Sequence, residues 1–217
     1  MTLEPRLYKH IELLTRRYPA LKEIEGQIIG AYLQMQESYA QGGKLLVAGN
    51  GGSAADAEHI VGELMKSFKL PRPVSPELAE RLAEVDPVRG PELARSLECC
   101  LTAIALTAHE ASITAFINDV SSADVYAQQL LGYGRPGDVF LAISTSGNSE
   151  NMIRAMVTAK AMGVRIIGLT GQTGGRMAPL CDVAVHAPET ETYMIQEYHL
   201  PIYHCWCLML EDYFFGE

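Results

Sequence analysis

The chain has 217 residues, 48% of them hydrophobic, and a net charge of −9 at neutral pH. That size fits one large domain, or one domain with an added arm. The acidic balance excludes broad electrostatic binding to nucleic acid or to an anionic membrane, and no apolar run reaches the roughly 18 residues of a membrane span.

Taken in chain order, residues 7–40 read as one or two helices, with Ile24, Ile28, Ile29, Tyr32 and Leu33 at helical spacing and Gly42-Gly43 as the stop. A strand follows at 44–48, then a helix from about Ser53 to Phe68. Residues 70–91 break the pattern with Pro71, Pro73, Pro76, Pro87 and Pro91, leaving room for a short helix over Pro76–Glu84 in an exposed connection. A second strand is expected near Leu101–Leu106 and a helix over Ala123–Leu131, followed by a turn at 132–138. The remainder alternates: strand 139–143, helix 149–162, strand 164–169, a loop at Gly171–Gly175, a short helical turn, strand 182–186 and a closing helix from Glu191 to Phe214. Short apolar strands alternating with helices call for a parallel sheet covered on both faces.

The five cysteines are odd in number and lack paired CxxC spacing, so they read as reduced thiols of a cytoplasmic protein. The opening segment Met1-Thr2-Leu3-Glu4-Pro5-Arg6 has no secretory character.

Two polar runs carry the functional signal. Gly49-Asn50-Gly51-Gly52-Ser53 follows the strand at 44–48, and Ser144-Thr145-Ser146-Gly147-Asn148-Ser149 follows the strand at 139–143. Each is a strand-to-helix turn that offers free backbone N–H groups, hydroxyls and the positive end of a helix to an anion. Two in one sheet point to a phosphorylated ligand at the carboxyl ends of parallel strands. Neither has the lysine of the nucleotide-binding P-loop, and Gly49-Asn50-Gly51 lacks the third glycine of the dinucleotide fingerprint.

A second group lies downstream. His59 and Glu63 are one helical turn apart on one face. Gln196 and His204, eight apart, share a face of the closing helix, with Pro201 between them expected to bend that helix or to lie near its start. Two histidines, a glutamate and a glutamine could converge on a metal, zinc by donor type. They could equally form a metal-free acid/base cluster, and Asp56 is either a helix-face charge or a first-turn residue favoured by the helix dipole.

Together these runs resemble the sugar isomerase (SIS) domain family. The resemblance also includes Asn118-Asp119, Gly168-Leu169-Thr170-Gly171 with Gly174-Gly175, and Ile195-Gln196-Glu197-x-His199 through to His204, and it covers residues 25–212. It implies a flavodoxin-like three-layer αβα sandwich with a parallel sheet: one SIS domain over 1–217, with an N-terminal helical arm (1–42) and a Pro-rich insertion (70–95). It implies a homotetramer and aldose–ketose isomerisation of a sugar phosphate through an enediol. By this likeness Glu63 is the general base, His204 its acid partner, and His59, Glu63, Gln196 and His204 match zinc ligands. Gly51, Gly52, Ser53, Ser144, Thr145, Ser146 and Ser149 match the phosphate and substrate cradle, and Asn50, Asp119 and Gln196 match sugar-contacting positions. A non-catalytic adaptor or a sugar-phosphate-sensing module of the same family is the alternative. The presence of both Glu63 and His204 favours the enzyme.

Two features depart from the family pattern. Ser67 stands where members usually carry an arginine four residues after the glutamate, with Lys66 and Lys69 as the nearby charges. The Pro-rich insertion is longer than in the short enzymes and could cap the site, alter the sugar accepted or contact a partner.

Overall fold

Leu45-Leu46-Val47-Ala48 is buried at every position, as is Val139–Ser144. Such runs suit strands covered on both faces. They form β1 (Leu45–Ala48) and β3 (Val139–Ser144) of a five-stranded sheet in the computed structural model of the protein, which describes residues 2–216. With β2 (Ala103–Ala105), β4 (Arg165–Thr170) and β5 (Val183–His186) the order is β2-β1-β3-β4-β5, and every pairing is parallel. This is the flavodoxin-like doubly wound order, whose switch point lies between β1 and β3. Both polar turns therefore leave the sheet at the crevice where such folds bind ligands.

Side-chain alternation divides the core into two layers. Leu45, Val47, Val139, Leu141, Ile167 and Leu169 face α2 (Glu25–Ala40), α3 (Gly52–Leu64) and α9 (Thr192–Phe215). Leu46, Ala48, Phe140, Ala142 and Ile166 face α7 (Val125–Tyr133) and α8 (Glu150–Ala161). The first layer also takes in α1 (Tyr8–Arg17) through Ile11 and Leu14, so the N-terminal helices pack into the domain's own core. Trp206 Nε1–H donates to the Ile28 carbonyl at 2.9 Å and locks α9 onto α2. Pro201 lies inside α9, which runs on through it to Phe215, so the proline marks neither end of the helix.

The structure departs from the expected elements in four places. α3 stops at Leu64 rather than near Phe68, because the amides of Phe68, Lys69 and Leu70 turn away to bond Glu211. The strand expected over Leu101–Leu106 is limited to β2. The Pro-rich insertion forms two helices, α4 (Pro76–Val85) and α5 (Arg89–Ser96), where one was expected. Ser75 caps α4 by accepting from Leu78 N–H at 3.2 Å, with Pro76 in the first turn. α6 (Glu110–Asp119) was not foreseen; none of its residues is fully buried, and Ile113 and Phe116 pack only partly buried against the second layer. Among the described residues no helix is long and apolar enough to cross a membrane.

Candidate active site

The turn after β1 is spanned by side chains from elsewhere in the fold. Gly51 sits at φ +55°, in the left-handed region where glycine carries no steric penalty. Gly52 opens α3, and a side chain there would collide with the Gln196 amide, so Gln196 lies directly against the start of α3. Asn50 and Asn151, the latter in the first turn of α8, exchange amide hydrogen bonds at 3.0 and 2.9 Å. Ser53 is buried beneath them.

The turn after β3 bonds mainly to itself and to residues 174–176. Ser144 Oγ and Ser149 Oγ lie 3.0 Å apart, and Asn148 N–H donates to Ser146 Oγ at 3.2 Å. Arg176 donates from its backbone N–H to Asn148 Oδ1 at 3.1 Å and from Nη2 to the Asn148 carbonyl at 2.8 Å. Gly147, at φ +63°, allows the close approach of the Gly174 carbonyl. Ser149, at the N-cap of α8, makes no side-chain cap bond, which leaves the first amides of that helix open. Thr145, Ser146 and Asn148 face a pocket of about 220 Å³, shared with Gln172, Thr173 and Ile195 and closed by Glu189 and Thr190.

Further along, α3 and α9 run side by side and bring four charged or titratable side chains together. His59 Nε2 is 3.2 Å from Glu63 Oε1 and 3.5 Å from His204 Nε2, and Lys66 Nζ is 3.1 Å from Glu63 Oε2. The other ring nitrogen of His59, Nδ1, lies 2.9 Å from the Tyr203 hydroxyl, which donates to Asp56 Oδ1 at 3.2 Å. That donation leaves the hydroxyl oxygen to accept from Nδ1–H. A neutral His59 then presents the lone pair of Nε2 toward Glu63 and His204. His59 Nε2 thus stands between Glu63 Oε1 and His204 Nε2, within reach of both.

Burial sets the protonation of the surrounding groups. It holds the His204 pKa below the ordinary histidine value, aided by His59 and opposed by Glu63. Burial raises the pKa of Asp56, with Tyr203 and His59 pulling the other way, and Asp56 Oδ2 is buried without a partner. Burial and the neighbouring Asp56 raise Tyr203 well above the ordinary tyrosine value.

Of the expected site residues, His59, Glu63 and His204 meet. Gln196 lies at Gly52, eight residues or about 12 Å along α9 from His204. Among the described residues no group of three or more His, Cys, Asp or Glu surrounds a common point as a metal cage does. Asp119, at the exposed end of α6, accepts from Asn118 at 2.7 Å. Ser67 uses its amide and hydroxyl to hold Glu98, at 2.8 and 2.7 Å. Sequence reasoning missed Tyr203 and Asn151. Tyr203 was legible only as part of the apolar run Ile202–Cys207; Asn151 sits one helical turn from Ser-Gly-Asn-Ser, where its amide could have drawn notice.

The model of the SIS domain matches residues 10–97 and 89–171, and the chain belongs to the SIS domain family. Among the relatives it is similar to are phosphoheptose isomerases. The one from Aneurinibacillus thermoaerophilus is 41% identical over 179 residues, covering 82% of this chain and 77% of that one. The one from Rhodospirillum rubrum is 37% identical over 194 residues, covering 89% and 86%. Among solved structures, the phosphoheptose isomerase of Neisseria gonorrhoeae superposes with a TM-score of 0.73 at 31% identity, over 97% of this chain and 100% of that one.

Proposed function

We propose that this chain is an aldose–ketose isomerase that converts sedoheptulose 7-phosphate to D-glycero-D-manno-heptose 7-phosphate through an enediol. The observation that carries the reading is that Glu63 of α3 and His204 of α9 both contact His59, while α9 also lines the hydroxyl-rich pocket. Ile195 at the pocket and His204 are nine residues apart, about 14 Å along α9. A heptose 7-phosphate carries its phosphate and its reacting carbons at opposite ends, as such a layout requires.

In this reading the open amides of α8, with Thr145 and Ser146, bind the phosphate and fix the register of the sugar. Glu63 takes the proton from one of C1 and C2 and returns it to the other, and His204 serves the oxygens. His204 is suited to that role because burial favours its neutral ring, which can both accept and donate a proton. Lys66, in contact with Glu63, supplies a cation where Ser67 replaces the family's usual arginine.

Zinc is a further part of the proposal. His59, Glu63 and His204 offer two imidazole nitrogens and a carboxylate, donor types that suit zinc once they turn toward a common point. Loading would replace their present contacts with one another. The metal would polarise the substrate carbonyl. A homotetrameric, cytoplasmic enzyme completes the reading. It is supported by exposed Leu13 and Leu200 on the groove between α1 and α9 beside His204, and by five free cysteines.

Incubation of the wild-type protein with sedoheptulose 7-phosphate, followed by NMR, is expected to show the aldose forming; no conversion would overturn the proposal. Metal analysis before and after chelation, paired with that assay, tests zinc separately. Full activity in metal-free protein would remove zinc and leave the isomerase. Sedimentation velocity tests the tetramer.

A further inference from the structure

Arg72 and Glu211 form a buried ion pair at the C-terminal end of α3, where that helix lies against α9. Their side chains are 0% and 1% exposed. Arg72 Nε and Nη2 both reach Glu211 Oε1 at 2.8 Å. The remaining donors of the guanidinium turn to α3: Nη1 donates to the Leu64 carbonyl at 2.9 Å and Nη2 to the Glu63 carbonyl at 3.4 Å. These are among the last carbonyls of α3, which the helix itself leaves without partners. A cation also suits the negative end of a helix.

Glu211 stands seven residues after His204, on the same face of α9. Its carboxylate accepts the amides of Phe68, Lys69 and Leu70 at 2.8, 2.8 and 3.0 Å. The Phe68 ring packs on His204, with centroids 5.5 Å apart. One buried pair thus grips the main chain of Glu63 and the segment whose ring braces His204. The guanidinium holds one carboxylate and two carbonyls in a rigid planar fork, whereas the three donors of an ammonium sit on one freely rotating atom and do not fix that geometry. Stability alone is a weak reason for such a pair, since apolar residues of similar volume often do as well.

We propose that Arg72 and Glu211 are positioning residues for the isomerisation: they set how the end of α3 sits on α9 and so fix Glu63 relative to His204. The proposal rests on the isomerase reading. Misplacement of reacting groups by about 1 Å can cost on the order of 100-fold in rate, whereas the phosphate pocket lies at the other end of α9 and is independent of the pair.

The test uses the full chain with Arg72→Lys and the charge-free double variant Arg72→Met/Glu211→Gln, in which glutamine keeps an acceptor for the three amides. kcat is normalised to the number of inorganic-phosphate sites found by calorimetry, and melting temperature is read alongside. We expect kcat per site to fall about tenfold or more in both variants, with KM and phosphate affinity within twofold of wild type. Arg6→Met serves as the control, because Arg6 bonds Asp212 on the same helix at 2.8 Å without reaching α3; it is expected to lower the melting temperature and leave kcat per site unchanged. Arg72→Lys retaining at least half of wild-type kcat per site would overturn the proposal. So would a loss of kcat in step with KM and phosphate affinity. If wild-type protein converts no sugar phosphate, the functional reading falls first and the positioning proposal with it.

Discussion

After β1 and after β3 the chain makes the same kind of turn from nearly the same residues, and the two turns are held differently. The first is crossed by other elements: Gln196 of α9 lies on Gly52, and Asn151 of α8 pairs with Asn50. The second is held by its own hydroxyls and by residues 174–176, and it leaves Thr145 and Ser146 facing a pocket. A glycine- and serine-rich turn thus supplies two distinct things. One is a set of hydroxyls and open amides facing a pocket; the other is a fixed start for the helix that carries His59 and Glu63. The first turn delivers His59 and Glu63, two and three turns of α3 away, to His204. In the proposed function, the second is the turn that meets the ligand.

The largest test of that division is Glu63→Gln. Removing a general base typically costs about 10²–10⁴ in rate, so kcat is expected to fall by that factor while phosphate affinity, which belongs to the other turn, stays within twofold. A variant that keeps half of wild-type kcat would show that Glu63 is not the base.

A second test concerns His199, which pins α9 behind the open pocket. Its Nε2–H donates to the Thr170 carbonyl at 3.2 Å, and burial lowers its pKa from 6.5 to about 4. Between those values the unfolded chain binds a proton that the folded one refuses, so this contribution to stability is full above pH 6.5 and is lost as the pH falls to 4. The whole effect is about 3 kcal/mol. Urea unfolding at pH 7 and at pH 4.5 is expected to show a larger loss in wild type than in His199→Gln, which keeps a donor for Thr170 and cannot titrate. Equal losses would remove His199 from the account.

The smallest effects sharpen the comparison most. Hydrogen bonds to charged groups are worth about 1.5–3 kcal/mol, so Thr145→Ala with Ser146→Ala is expected to weaken inorganic phosphate binding at least tenfold by calorimetry. Asn151→Ala, which unties the first turn from α8, is expected to cost about 1 kcal/mol in stability and to leave phosphate affinity within twofold. A reversed result, with Asn151 governing phosphate, would exchange the roles of the two turns.

Much of this was legible in the chain. Val139–Ile143 and Leu45–Ala48 are uniformly apolar because strands of a parallel sheet are buried on both faces, and the polar runs at their ends stand out by contrast. Glu63 and His59 were readable because one helix carries both. What was hidden depends on tertiary approach. Tyr203 reads as core until α9 is laid beside α3, and only then does its hydroxyl stand between His59 and Asp56. Gln196 was grouped with His204 by face, yet separation along the helix axis puts it at Gly52 instead. α3 was expected to run to Phe68 because nothing local forbids it; the amides of 68–70 leave the helix for a carboxylate more than 140 positions away.

The α4–α5 hairpin has a property that follows from its base. Pro73 and Glu98 pair across an isolated bridge, so the chain departs from the domain and returns to it at one point. Apart from Gly90, the two helices bury no residue. A segment tied in this way behaves as a cassette. The cost of lengthening or shortening it is one of loop closure, about 0.6 kcal/mol for each doubling, and no strand or core residue need move to accommodate the change. Since the same Glu98 also holds Ser67, one turn beyond Glu63, whatever is exchanged on this stem is attached beside the helix that carries His59 and Glu63.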